Sequence, residues 1–240
     1  MRPTTLVTPR RCHAIDGMSD LAVFKRIVTA AVMAGILAGL LLTAIQQIHV
    51  VPTLLEAEVY EAAADRASSA HAESDQHADE AGGRTLLSAV SNVSLAIGFA
   101  LLLGASMHLS GRAPSWRSGL LWGLAGYAVF FVAPTLGLPP EVPGTEAARL
   151  IDRQVWWVVT VLCTAVGLSC LVFARPWAIR IAGVVLLAVP HLIGAPNAMI
   201  HSSTAPAELV ESFIYASVIT NLVFWLALGG LLGGCHKKLT

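Results

Sequence analysis

Residues 24–48 read FKRIVTAAVMAGILAGLLLTAIQQI, and the nineteen positions from Ile27 to Ile45 carry no charge. At 1.5 Å per residue that stretch is ~28 Å long as a helix, about the thickness of a bilayer's hydrocarbon core. Lys25 and Arg26 close one end, while Gln46, Gln47 and His49 close the other. A run of this kind reads as a membrane-spanning helix. It is too long for a cleaved signal core and lacks a small-residue cleavage site, so it stays in the protein.

Five more apolar segments follow, at about 86–109, 118–137, 155–174, 178–194 and 210–233. Across the chain 55% of residues are hydrophobic and 12% charged, which excludes an ordinary soluble domain. The expected fold is therefore all-α, a polytopic membrane bundle of about six transmembrane helices. The fifth segment is short and carries Pro190 and His191 near its end, so five spans plus a short or re-entrant segment is the alternative. Residues 1–20 read as a structureless cytoplasmic leader, with Met18 as a second possible start. Residues 21–240 form a single membrane domain in which 50–84 is an acidic, histidine-bearing outer loop.

Basic residues orient the bundle, because lysine and arginine are retained on the cytoplasmic side. With six spans and both termini inside, the inner segments hold Arg2, Arg10, Arg11, Lys25, Arg26, Arg112, Arg117, Arg175, Arg180, Lys237 and Lys238. The outer loops hold Arg66, Arg84, Arg149 and Arg153, so the bias is eleven to four. Removing the fifth span would put Lys237 and Lys238 outside and spoil it. Trp116, Trp156, Trp157 and Trp177 fall near segment ends and read as interfacial anchors. Four glycine pairs at GxxxG spacing, Gly35/Gly39, Gly119/Gly123, Gly229/Gly233 and Gly230/Gly234, imply close helix approach. A weak internal echo relates Arg84 and Gly98 to Arg153 and Gly167, as a duplicated two-helix unit would.

The outer loop holds Glu56, Glu58, Glu61, Asp65, Glu73, Asp75, Asp79 and Glu80 with His71 and His77. Carboxylate and imidazole are ligands for divalent cobalt, nickel and zinc, and a negative loop concentrates cations. A solvated acidic linker has the same composition. Polar residues at membrane depth carry more information, because burying them without partners is costly. Gln46 and His49 are i, i+3 neighbours, Glu56 and Glu58 follow Pro52, and His191 follows Pro190, whose ring frees a carbonyl near Leu186. The candidate metal-contacting set is thus Gln47, His49, Glu56, Glu58 and His191, with His71 and His77 as further candidates. The opposing reading is that these histidines brace the bundle, through neighbours such as Asn92 or Asn221.

No GxxxxGK[ST] nucleotide loop, HExxH or GxSxG is present, and no paired carboxylates sit in an apolar span, so no enzyme is expected and no cofactor. Formal net charge is zero, which gives no reason to expect a nucleic-acid partner. Membrane lipid is the expected surrounding. The four cysteines, Cys12, Cys163, Cys170 and Cys235, have spacings that make neither a disulfide framework nor a metal knuckle.

Several stretches together resemble the CbtA family of probable cobalt transporter subunits. They are Phe24-Lys25-Arg26-Ile27, Gln46-Gln47 with His49-Val50-Val51-Pro52, and Leu55 to Glu61. Gly119 to Gly126, Ala133 to Gly144, Arg153-Gln154-x-Trp156-Trp157 and Pro190 to Pro196 continue the likeness, which spans nearly all of residues 21–236. The resemblance implies a multi-pass protein of the bacterial inner membrane that takes part in cobalt uptake and is associated with cobalamin biosynthesis. It also implies a small one-span partner, CbtB, with histidines near its end. One departure is Asn197, where similar sequences often continue Gly-Ala-Pro with a histidine.

Overall fold

The structure is a computed structural model and describes residues 10–68, 81–111, 115–196 and 203–238. All six apolar segments are helical. In chain order they are α1 (Arg10–Ile45), α2 (Val51–Ser68), α3 (Ala81–Leu109), α4 (Trp116–Tyr127), α5 (Ala133–Thr135), α6 (Leu150–Phe173), α7 (Trp177–Ile193) and α8 (Ala207–Lys238). Two π-turns complete the long helices: Gln46–Val50 joins α1 to α2, and Ala128–Val132 joins α4 to α5. Among the described residues there is no strand beyond an isolated Thr145–Ser203 bridge. The fold is an all-α membrane bundle.

Two expectations are corrected at the ends of α1. Helix begins at Arg10, inside the stretch expected to lack structure, and it runs on past the acidic boundary as α2 to Ser68. Likewise α3 starts at Ala81, so much of the expected 50–84 loop is helix. The physical reason is cooperativity: once a long apolar helix is nucleated, adding residues such as those of the alanine-rich 57–64 stretch costs little. The apolar helix from Leu21 to Ala67 has 47 residues, about twice what a hydrocarbon core needs, so its second half projects beyond the core.

Glycines set the packing of the core. A β-carbon on Gly35 or Gly39 would lie 2.6 Å from the Cα of Ile97 or Val93, so α1 and α3 touch backbone to backbone. Between α4 and α8 the arrangement is reciprocal. A β-carbon on Gly119 would fall on the Gly229 carbonyl oxygen, and one on Gly229 would fall on that of Gly119. Gly123 meets the Trp225 carbonyl, and Gly233 meets that of Ser115. Three of the four GxxxG pairs therefore sit at helix crossings. Gly230 meets only the Leu120 side chain and Gly234 meets nothing within 4 Å, so the fourth pair does not.

Helices α1, α3, α4 and α8 enclose the main core of Ala30, Ala34, Ala38, Leu103, Phe224, Trp225 and their neighbours. Alanine-rich faces let the helices close without large side chains, the route to affinity available where lipid is as apolar as leucine. Gly104 packs on Ile27 and near Leu232, so the middle of α1 meets the later parts of α3 and α8 there. The α6–α7 hairpin attaches alongside, mainly through α6 against the π-turn at 128–132 and α5. Its two helices cross where Gly167 and Gly183 each face the other's carbonyl oxygen at 2.8 Å from a built β-carbon. Helix α3 touches α4 only slightly, so the two halves of the internal echo pack in different ways.

Helix α7 is a continuous helix of 17 residues, ~25 Å long, and it returns to the level of Trp156 near the start of α6. It is the shortest of the six, but it does not turn back partway as a re-entrant segment would. Trp156 is not a lipid-facing anchor. It is buried against α7, while Trp116 and Trp177 are exposed.

Candidate functional site

The polar residues expected at membrane depth gather around the junction of α1 and α2. Pro52 lacks an N–H and its ring crowds the carbonyl four residues back, which disfavours regular α-helical bonding at this point. The chain widens instead into a π-turn in which the Val51 N–H bonds the Gln46 carbonyl. That diverts the donor which an α-helix would give to the Gln47 carbonyl, and the next donor in line is the missing N–H of Pro52. The same device recurs in α4–α5, where the Ala133 N–H bonds the Ala128 carbonyl directly before Pro134. π-turns inside α-helices concentrate at functional sites.

The wide turn also separates Gln46 from His49. A turn closed by i to i+5 bonds takes more residues per revolution, so i and i+3 no longer overlie. Gln46 faces α3, where the Asn92 side-chain amide donates to its Oε1 at 2.6 Å and to Thr43 Oγ1 at 3.0 Å. Thr43 in turn donates to the Gly39 carbonyl at 2.9 Å. Asn92 thus braces α1, the glutamine rather than a histidine being its partner. Gln47 is half-buried and His49 is exposed.

Beyond Pro52, α2 lies across the 136–149 segment and the start of α8. Ala57 is fully buried there in a second small core with Val142, Ala205, Leu209 and Phe213. Gly144, at φ +74°, packs so tightly against Thr204 and Glu61 that no β-carbon fits. Packing through Ala57 fixes which way the flanking acids point. Glu56 is exposed, and Glu58 pairs with Arg84 of α3 at 2.9 Å. A similar pair flanks the same small core, where Arg153 of α6 holds Glu141, the neighbour of Val142, at 2.6 Å with both side chains only 28% exposed. Both arginines belong to the internal echo, and Arg153 and Glu141 also lie in the stretches that carry the family likeness, while Glu58 stands in the candidate metal set; nothing in the sequence paired either glutamate with its arginine.

His191 stands apart from this junction. It lies near the end of α7, edge-on to Trp156 with ring centroids 6.1 Å apart. Trp156 Nε1 donates to the Pro190 carbonyl at 3.3 Å, which also accepts from the Gly194 N–H at 3.1 Å. His71 and His77, with His201 and Asn197, lie outside the described residues. Among the described residues no three His, Cys, Asp or Glu side chains converge as a metal site. Gln47, His49, Glu56 and Glu58 share one continuous helix through the π-turn, and His191 belongs to a helix that packs on α6.

In a comparison with known families, the family model described as "Probable cobalt transporter subunit (CbtA)" matches residues 24–237. No curated protein and no solved structure matches the chain.

Proposed function

This chain belongs to the CbtA family of probable cobalt transporter subunits, and on that premise we propose that it is the membrane-embedded subunit through which divalent cobalt is taken up. The observation that carries the reading is the family match over residues 24–237, nearly the whole chain. In this proposal the acidic surface of α2 attracts the ion, and Gln47, His49, Glu56 and Glu58 receive it at the membrane boundary. The Gln47 carbonyl, deprived of its helical donor, adds a backbone oxygen of the type that interrupted helices offer to cations. His191 would contribute from α7, and His71 and His77 from the stretch between α2 and α3. Nickel and zinc accept the same imidazole and carboxylate ligands.

The proposed setting is a bacterial inner membrane with both termini in the cytoplasm, in line with the eleven-to-four distribution of basic residues. The proposed partner is a small one-span CbtB-like subunit, and the proposed context is supply of cobalt for cobalamin biosynthesis. The protein itself performs no catalysis and holds no cofactor in this reading.

A second reading has specific support. Gln46 is engaged by Asn92, Glu58 by Arg84 and His191 by Trp156, the bracing expected of a non-transporting scaffold or assembly protein. Radiolabelled cobalt uptake into proteoliposomes, with and without the small partner subunit, separates the two. Uptake in either preparation supports transport; uptake in neither leaves the scaffold.

A further inference from the structure

Where the α6–α7 hairpin joins the main bundle, a groove of about 760 Å³ opens between the end of α4–α5 and the start of α6. Its apolar walls include Phe130, Phe131, Trp157 and Val158, with the Phe130 and Trp157 ring centroids 6.4 Å apart. Its mouth is polar and carries Glu141, Arg153 and Gln154. The groove therefore runs from a polar rim at the first turn of α6 to aromatic walls one to two turns deeper, in the direction of the hydrocarbon core.

We infer that this groove is a binding site for a zwitterionic phospholipid with a primary ammonium headgroup, phosphatidylethanolamine, seated with one acyl chain between Phe131 and Val158. Charge complementarity selects this occupant. Arg153 Nη2 donates to Glu141 Oε2, which leaves the other guanidinium N–H groups and Oε1 of Glu141 to meet an incoming headgroup. The guanidinium is suited to the phosphate, and the carboxylate to the ammonium. An anionic headgroup such as phosphatidylglycerol would satisfy Arg153 but set its charge against Glu141 without an ammonium to compensate. The adjoining Arg149–Asp152 pair, at 2.9 Å, keeps the rim electrically balanced rather than basic. Aromatic walls supply contact area for the chain at little entropic cost. A lipid here would fill the seam between two helix groups that otherwise touch mainly through α6, the π-turn and α5.

The test is native mass spectrometry of the full chain extracted from vesicles containing equal phosphatidylethanolamine and phosphatidylglycerol. The protein should retain phosphatidylethanolamine over phosphatidylglycerol by roughly fivefold, the scale of one partly exposed charge pair. Glu141→Gln should abolish that preference while lipid is still retained. Val158→Trp fills the groove from a position 48% exposed, where the larger ring is tolerated, and should lower retention of both lipids. Equal retention by the unaltered protein, a preference for phosphatidylglycerol, an unchanged preference in Glu141→Gln, or unchanged retention in Val158→Trp would each overturn the inference.

Discussion

Arg84 Nη2, near the start of α3, donates to Glu58 Oε1 of α2 at 2.9 Å, so an internal cation already occupies one carboxylate proposed to receive a metal. A divalent ion binding there has to displace the guanidinium or share the carboxylate with it. Arg84→Gln is therefore expected to tighten cobalt binding severalfold, and Glu58→Gln to weaken it by about tenfold, since each tenfold is worth about 1.4 kcal/mol. Isothermal titration of the purified variants measures both. Weaker binding in Arg84→Gln would show the arginine to be a support for the site and not a competitor.

His191 touches the Trp156 ring edge-on, a packing role that phenylalanine can fill. His191→Phe should leave the protein at normal abundance in the membrane while reducing cobalt uptake to the level of empty proteoliposomes. His49, exposed beside the π-turn, should give the same result as His49→Ala. Normal uptake by both variants would remove the two imidazoles from the proposed path.

The reciprocal contact of Gly119 with Gly229 leaves no room for a side chain on either helix. Gly229→Val should lower stability by about 1–3 kcal/mol or more, the range for overpacking a close interface, visible as a lowered thermal midpoint in detergent. Gly98→Ala is the control, because nothing lies within 4 Å of its added methyl. Its midpoint should not fall.

Asn92 donates to both Gln46 and Thr43 across the α1–α3 interface. Asn92→Leu removes both bonds and should cost about 1–2 kcal/mol, toward the upper end for interhelical bonds within a membrane. Gln46→Leu alone should cost less, because Thr43 still accepts. Equal losses in the two variants, read from equilibrium unfolding in mixed micelles, would contradict this division of roles.

Pro52 is the physical cause assigned to the π-turn that frees the Gln47 carbonyl. Pro52→Ala restores an N–H and permits α-helical bonding through the junction, so amide exchange in residues 48–53 should slow. Cobalt binding should fall in the same variant, as the freed carbonyl is reclaimed by the helix. Unchanged exchange would place the cause of the wide turn elsewhere.

Much of this molecule follows from local chemistry that can be read along the chain. Five apolar runs of bilayer length and a shorter sixth dictate six helices, because a backbone in lipid must satisfy its own hydrogen bonds, and the glycine spacings announced close crossings. The family likeness was legible for the same reason: its motifs are short and contiguous. The extent of α2 was not legible, since an Ala- and Glu-rich stretch is equally suited to a solvated linker or to a helix continued from a stable one. Only the three-dimensional arrangement decided which glycine pairs meet, that Trp156 is buried on α7 instead of anchored in the interface, and that Asn92 binds Gln46. It alone paired Arg84 with Glu58 and Arg153 with Glu141, across 26 and 12 residues of chain. Such pairings depend on the rotation of one helix about its axis relative to another. Helix rotation is set by the fit of whole surfaces, Ala57 into its pocket and Gly119 onto Gly229, and no short stretch of sequence contains it.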